Sequence, residues 1–250
     1  MSDAPNRISV PLDAGGATTA FVYPAAGRVL SDPARGGSED PPYTGGRETL
    51  VLGHGAGAGQ QSGFMVAFAT ALSALGVNVV TFNFPYIEQR RKIPDRAPVL
   101  EACFRHVIEE VHARVPGPGG GIFIGGKSMG GRIATQVAAA DATLPLNGLV
   151  LLGYPLHPPG RPGERRDKHL SSVGRPMLFV QGSRDAFGTP AELSPALETM
   201  RPAPVLHVVD GGDHSFKIGR SDAAAQAAVY ADVQQTIVRW MQSVPGPRKA

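Results

Sequence analysis

Short apolar runs alternate with amphipathic stretches along most of this chain. Residues 8–12 and 18–23 are β-type runs separated by residues 13–16, a spacing that predicts a hairpin. Further apolar runs follow at 50–52, 77–82, 122–124, 149–152, 177–180 and 205–209. Each is brief and almost wholly apolar, the pattern of a strand covered on both faces. Between Pro98 and Pro116, the residues Leu100, Cys103, Phe104, Val107, Ile108 and Val111 recur at three- and four-residue steps. They form one apolar stripe, so this stretch reads as an amphipathic helix. Residues 65–75, 129–140 and 222–241 read as helices of the same kind. Strands alternating with helices imply an α/β domain built on a mostly parallel sheet of about seven or eight strands.

Residues 24–47 are rich in Gly, Pro, Ser and charge and show no periodicity, which predicts a surface loop or mobile insertion. Residues 244–250 read as a tail. No internal repeat or second composition regime appears, so residues 1–250 read as one domain. Hydrophobic residues are 42% of the chain, enough to bury a sizeable core. The net charge of +3 is too small to argue for nucleic acid without a concentrated basic stripe. A single cysteine, Cys103, excludes an internal disulfide and a four-thiolate metal site, and its place on the helical stripe makes it a small buried hydrophobe. The first residues lack a basic segment followed by an apolar one, and no apolar run nears the ~18 residues of a membrane span. These features predict a cytoplasmic protein with no nucleic-acid or membrane partner.

The densest chemical signal is residues 119–132, GGGIFIGGKSMGGR, which fits two patterns. Gly121 to Ser128 matches the phosphate-binding P-loop; Gly126-x-Ser128-x-Gly130 matches a nucleophile elbow. A P-loop wraps phosphates with backbone N–H groups of a loop that follows the strand. Here Ile122, Phe123 and Ile124 are the strand itself, which leaves too little loop. An elbow needs a strand ending just before the nucleophile, a helix starting just after it, and tiny residues two positions to either side. Every one of those features is present, so the elbow is preferred and nucleotide binding is a remote alternative.

A serine hydroxyl needs a base to become nucleophilic, and the base needs an orienting acid. Asp185, in VQGSRDAFG, follows the run at 177–180, and His214, in VVDGGDHSF, follows the run at 205–209. Both fall just past the carboxyl end of a strand, the edge where open α/β sheets bind ligands. Asp210 and Asp213 are too close in sequence to His214 to reach its far ring nitrogen easily. Asp167 and His169 read as surface residues; His106, His112 and His207 read as structural or solvated. An oxyanion formed at an attacked carbonyl needs donors. Met129 N–H, next after the nucleophile, is one candidate; Ala56 or Gly55, in the loop HGAGAG, is the second. His54 reads as a residue that shapes this loop.

In combination and order, HGAGAG, FNFPY, GGKSMGGR, GYPLHPPG, QGSRDAFG and DHSFK resemble the alpha/beta-hydrolase superfamily over residues from about 48 to 243. They most resemble a small branch with little or no lid, related to dienelactone-hydrolase-like proteins. That branch includes testis-expressed protein thirty and the third regulatory subunit of a nuclear histone-acetyltransferase complex. The resemblance implies an alpha/beta-hydrolase fold with Ser128, Asp185 and His214 as a catalytic triad, and no cofactor or metal. Dienelactone hydrolase proper carries a cysteine nucleophile where this chain has Ser128, so its substrate is not carried over.

Basic residues cluster after two strands: Arg90, Arg91, Lys92 and Arg96, then Arg161, Arg165, Arg166 and Lys168. They read as a solvated rim or, on a sharper reading, as a positive mouth for anionic substrates. Tyr86, Arg90, Pro155 and His157 are candidates to line the pocket. The leading expectation is a hydrolase acting on an ester, thioester or related acyl bond of a small-molecule substrate. The competing expectation is a binding module that keeps the fold for contact with a protein partner.

Overall fold

The structure is a computed structural model that describes residues 5–13, 15–26, 48–115, 120–219 and 222–245. Most of the stretch at 24–47, and the last five residues of the tail, lie outside the described residues. The opening hairpin forms as predicted, with β1 (Asn6–Pro11) antiparallel to β2 (Ala17–Tyr23). There follow β3 (Thr49–Gly53), β4 (Asn78–Phe82), β5 (Ile122–Lys127), β6 (Leu146–Leu152), β7 (Met177–Gly182) and β8 (Val205–Val209). They join one eight-stranded sheet in the order β1-β2-β4-β3-β5-β6-β7-β8. β2 also pairs antiparallel with β4, and every pairing from β4 to β8 is parallel.

Side-chain alternation along the central strands splits the core into two layers. Val51, Val80, Ile124, Leu151 and Phe179 face a layer with residues of α3 (Ala97–Arg114), α4 (Met129–Ala140) and α5 (Pro190–Glu198). Leu50, Leu52, Val79, Phe123, Val150 and Val180 face the opposite layer, with α1 (Gly63–Ala74) and α6 (Ala223–Ser243). Both faces are thus apolar, which is why the central strands read as continuous hydrophobic runs. Cys103 lies buried in the first layer, and burial pushes its thiol up to about 12.

β8 departs from the expected pattern. It ends the sheet with no strand beyond it, and Val205 and Val208 are 46% and 43% exposed, so this strand is not covered on both faces. Two helices lie where none was anticipated. The short α2 (Pro85–Glu88) follows β4, and α5 follows β7. α5 opens with a reciprocal cap in which the Thr189 side chain accepts from Glu192 N–H and Glu192 accepts from Thr189 N–H. The connection from β4 to α3 holds only the four residues of α2, and that from β6 to β7 only a 3-10 turn at Leu170–Ser172. Neither builds a lid. Among the described residues no helix is long and apolar enough to cross a membrane.

β3, β5 and α4 meet at a close junction. A Cβ on Gly130 would lie 2.1 Å from the carbonyl oxygen of Gly53, and one on Gly126 would lie 2.2 Å from the same atom. Both obstacles are backbone, so neither can swing aside. Gly130→Ala is expected to destabilise the fold by about 1–3 kcal/mol through overpacking. A urea midpoint equal to that of the wild type would show that the junction has slack.

Candidate active site

β5 ends at Lys127 and α4 begins at Met129, which leaves Ser128 alone at the bend. Its backbone sits at φ 51°, ψ −113°, a region that non-glycine residues rarely occupy. Two bonds hold it there: Ser128 N–H donates to Leu152 C=O at 2.9 Å, and Ser128 C=O accepts from Arg132 N–H at 3.1 Å. The interior of the P-loop pattern is strand β5 itself, so no loop remains between its glycines to wrap phosphates. That alternative is overturned by the backbone.

His214 reaches the serine from the loop after β8. Its Nε2 lies 2.8 Å from Ser128 Oγ, and its Nδ1 lies 2.7 Å from Asp185 Oδ2. Asp185 is 2% exposed, and its carboxylate accepts two further hydrogen bonds. Gln181 Nε2 donates to Oδ2 at 2.8 Å, and Phe187 N–H donates to Oδ1 at 2.8 Å. These partners offset the cost of burying the charge. Nδ1–H facing the carboxylate leaves the lone pair of Nε2 directed at the serine hydroxyl. Phe187 stacks on the imidazole at 4.2 Å between centroids and limits its rotation. Asp210 and Asp213 are occupied elsewhere, the first by Ser183 Oγ and the second by the N–H groups of Ser215 and Lys217.

The glycine-rich loop after β3 packs against the elbow, with a Cβ on Gly55 falling 3.8 Å from Ser128 Cβ. Gly55, Ala56 and Met129 line one cleft with Ser128 and His214, and the cleft encloses about 560 Å³. Ala58 N–H is tied to Gly55 C=O, and Gly57 N–H to Tyr86 Oη at 3.0 Å. Among the described residues, no protein group accepts from the N–H of Gly55, Ala56 or Met129. His54 is buried beneath the loop, with Nδ1 on Gly55 C=O at 2.8 Å and Nε2 accepting from Phe84 N–H at 3.1 Å. Burial lowers its pKa to about 4, so it stays neutral and shapes the loop as a fixed hydrogen-bonding post. No group of three or more His, Cys, Asp or Glu side chains among the described residues could hold a metal ion.

The sequence model described as the alpha/beta hydrolase domain matches residues 46–242. The chain belongs to that family. Solved structures share the fold of this alpha/beta hydrolase. One is a lidless α/β serine hydrolase from Xanthomonas campestris, 21% identical with a TM-score of 0.70, covering 98% of this chain and 99% of its own. A serine hydrolase homologue from Coxiella burnetii is 17% identical with a TM-score of 0.67, over 96% and 97% of the two chains. A dienelactone hydrolase from Anabaena variabilis is 16% identical with a TM-score of 0.67, over 94% and 98%. Membership of the family supports a hydrolase.

In this alpha/beta hydrolase three of the anticipated pocket residues lie elsewhere. Tyr86 is fully buried and serves the glycine-rich loop through its hydroxyl, outside the cleft wall. Arg90 is exposed on the turn after α2, at φ 56°, and does not line the cleft. His157 is buried behind the cleft, with Nδ1 on Pro158 C=O at 2.8 Å and its N–H on Phe187 C=O at 3.0 Å. Aromatic and histidine side chains at the end of a strand pack inward when the loop folds back over them, and sequence position does not reveal that turn. Pro155 does line the cleft. Most of the basic rim is solvated or paired on the surface, as in Arg161 with Glu164 and Arg165 with Asp167; only Arg166 of the two clusters reaches the cleft. His169 is half-buried, bonded through Nε2 to Thr135 Oγ1 at 2.8 Å, and is not a free surface residue.

Sequence reasoning missed Gln181, Phe187, Arg132 and Lys127 as site residues. Gln181 and Lys127 carried a signal, each a polar residue at the end of an otherwise apolar strand. Lys127 is buried, its Nζ donates to His214 C=O, and Phe64 and Phe216 stand 5.7 and 6.0 Å from the ammonium. The residue before the nucleophile therefore clamps the loop that delivers the base. Burial lowers its pKa to about 8, against the opposing pull of Asp185 and Asp213. Between about pH 8 and 10.5 the unfolded chain keeps a proton on this lysine that the folded chain releases. Stability relative to Lys127→Met is thus expected to rise across that window, by up to about 3 kcal/mol. Urea titrations of both proteins at several pH values check the sign; a gap that is flat or shrinks with rising pH would contradict it.

Proposed function

We propose that this alpha/beta hydrolase is a metal-independent serine hydrolase that cleaves an ester, thioester or related acyl bond through an acyl-enzyme. The observation that carries the reading is the unbroken relay from Ser128 Oγ through the His214 ring to Asp185, with steps of 2.8 and 2.7 Å. As Ser128 Oγ attacks the carbonyl carbon, His214 Nε2 takes its proton, and Asp185 stabilises the imidazolium that results. Charge developing on the carbonyl oxygen is met by Met129 N–H and by Ala56 or Gly55 N–H, donors that have no acceptor to give up among the described residues. The imidazolium then protonates the leaving group, and the carbonyl reforms as an acyl ester on Ser128. A water molecule, deprotonated by His214, attacks that ester and releases the acid. Among the described residues no lid covers Ser128, which supports access by substrates of varied leaving group.

A fluorophosphonate probe is expected to label the wild type at Ser128 and to leave Ser128→Ala unlabelled, as read by intact-protein mass spectrometry. On an activated ester, Ser128→Ala is expected to lose at least about a thousandfold in kcat/KM, and Asp185→Asn about a hundred- to ten-thousandfold. A well-folded wild type that takes up no probe would overturn catalysis and favour the binding module.

A further inference from the structure

Positive charge is distributed unevenly around the cleft. Lys127, Arg132 and Arg166 line it, and Asp95 is the one carboxylate among the residues that do. Asp95 is paired through Oδ1 with Arg91, whose guanidinium lies 2.6 Å away, while its Oδ2 is buried without a hydrogen-bond partner among the described residues; the Lys127 ammonium is committed to His214 C=O. Arg132 and Arg166 are different. Both are half-buried, yet neither forms an ion pair; among the described residues the paired arginines are Arg91, Arg114, Arg161 and Arg165. Among the described residues, the Arg132 side chain donates only to the neutral Gln136 Oε1, at 3.2 Å, and the Arg166 side chain has no acceptor. Burial and the neighbouring charge of Arg166 both act against the Arg132 cation, tempered by Tyr154 and Glu101. Two guanidinium groups that line one cavity, neither held in an ion pair, repel each other and have shed part of their hydration. An oxyanion between them relieves both costs, and their planar forks suit carboxylate or phosphate oxygens.

We propose that Arg132 and Arg166 form a subsite for an oxyanion carried by the substrate, so that this enzyme selects acyl compounds bearing a carboxylate or phosphate group. The inference rests on the serine-hydrolase reading above and adds the substrate class. Arg132 stands four residues, about one turn, beyond Ser128, roughly 6 Å of helical rise, and so the anionic group lies a short chain away from the scissile carbonyl. The basic clusters that sequence alone singled out contribute one residue, Arg166; the other, Arg132, belongs to the elbow motif itself.

Three para-nitrophenyl esters of matched length test the proposal: the valerate, the hemiglutarate and a phosphonobutyrate, which end in methyl, carboxylate and phosphonate. The wild type is expected to favour at least one anionic ester over the valerate by about tenfold or more in kcat/KM, with the preference shrinking as salt is added. The better anionic ester identifies which oxyanion the subsite takes. Arg166→Met and Arg132→Met are each expected to cut the ratio of anionic to neutral kcat/KM by about tenfold. Arg166 lies on a loop and its side chain makes no hydrogen bond or ion pair among the described residues, so its variant keeps the test alive if Arg132→Met fails to fold. Equal or poorer turnover of both anionic esters by a wild type that is labelled at Ser128 would overturn the subsite alone. Absence of both labelling and turnover would overturn the hydrolase reading and the subsite with it.

Discussion

One steric constraint underlies the site: three chain segments approach so closely that only glycine fits between them. Gly53 at the end of β3, Gly126 in β5 and Gly130 in α4 touch backbone to backbone. That contact lets β5 turn into α4 within a single residue and keeps Ser128 in its unfavourable backbone conformation. The bend projects the hydroxyl into the cleft and leaves Met129 N–H without an acceptor among the described residues, so nucleophile and donor are placed by the same turn. The interior of the sheet supplies the force that maintains it, since both faces of β5 are sealed by apolar layers.

Around this bend, polar groups that would be costly to bury are satisfied by one another. Asp185 is enclosed, but Gln181, Phe187 N–H and His214 together complete its hydrogen bonding. Gln181 itself accepts from Tyr154 N–H and donates to Gly188 C=O, which links the segment after β6 to the far end of the loop that carries Asp185. Lys127 joins the elbow to the His214 loop from the opposite side. A partly satisfied network of this kind would destabilise the fold, whereas a completed one makes the relay rigid. Arg132 and Arg166 stand outside this network: among the described residues, neither of these cleft-lining guanidinium groups is held in an ion pair.

Local chemistry explains which features were legible. Apolar alternation placed the central strands and the stripe of α3 because both faces of the sheet and one face of the helix are buried, and burial is what hydrophobic pattern records. The helix at Met129–Ala140 was legible to the residue because the elbow fixes its start. α5 escaped although Thr189, Pro190 and Glu192 spell a capped start, because its nine residues are too few for an apolar stripe to repeat. The exposed edge of β8 was hidden for a different reason: its residues are as apolar as those of a central strand, and only its neighbours reveal that it is last.

The sequence by itself determined the elements whose cause is local: the alternation of strands and helices, the glycine-flanked serine bend, and the order in which serine, aspartate and histidine follow successive strands. Tertiary structure alone decided what depends on distance between remote segments. It brought His214 to Ser128 across 86 positions of chain, buried Tyr86 and His157 behind the cleft, and turned Arg132 and Arg166 into it. Side-chain identity states what a residue is able to do; the charge, solvent and partners that it meets are properties of the folded surroundings.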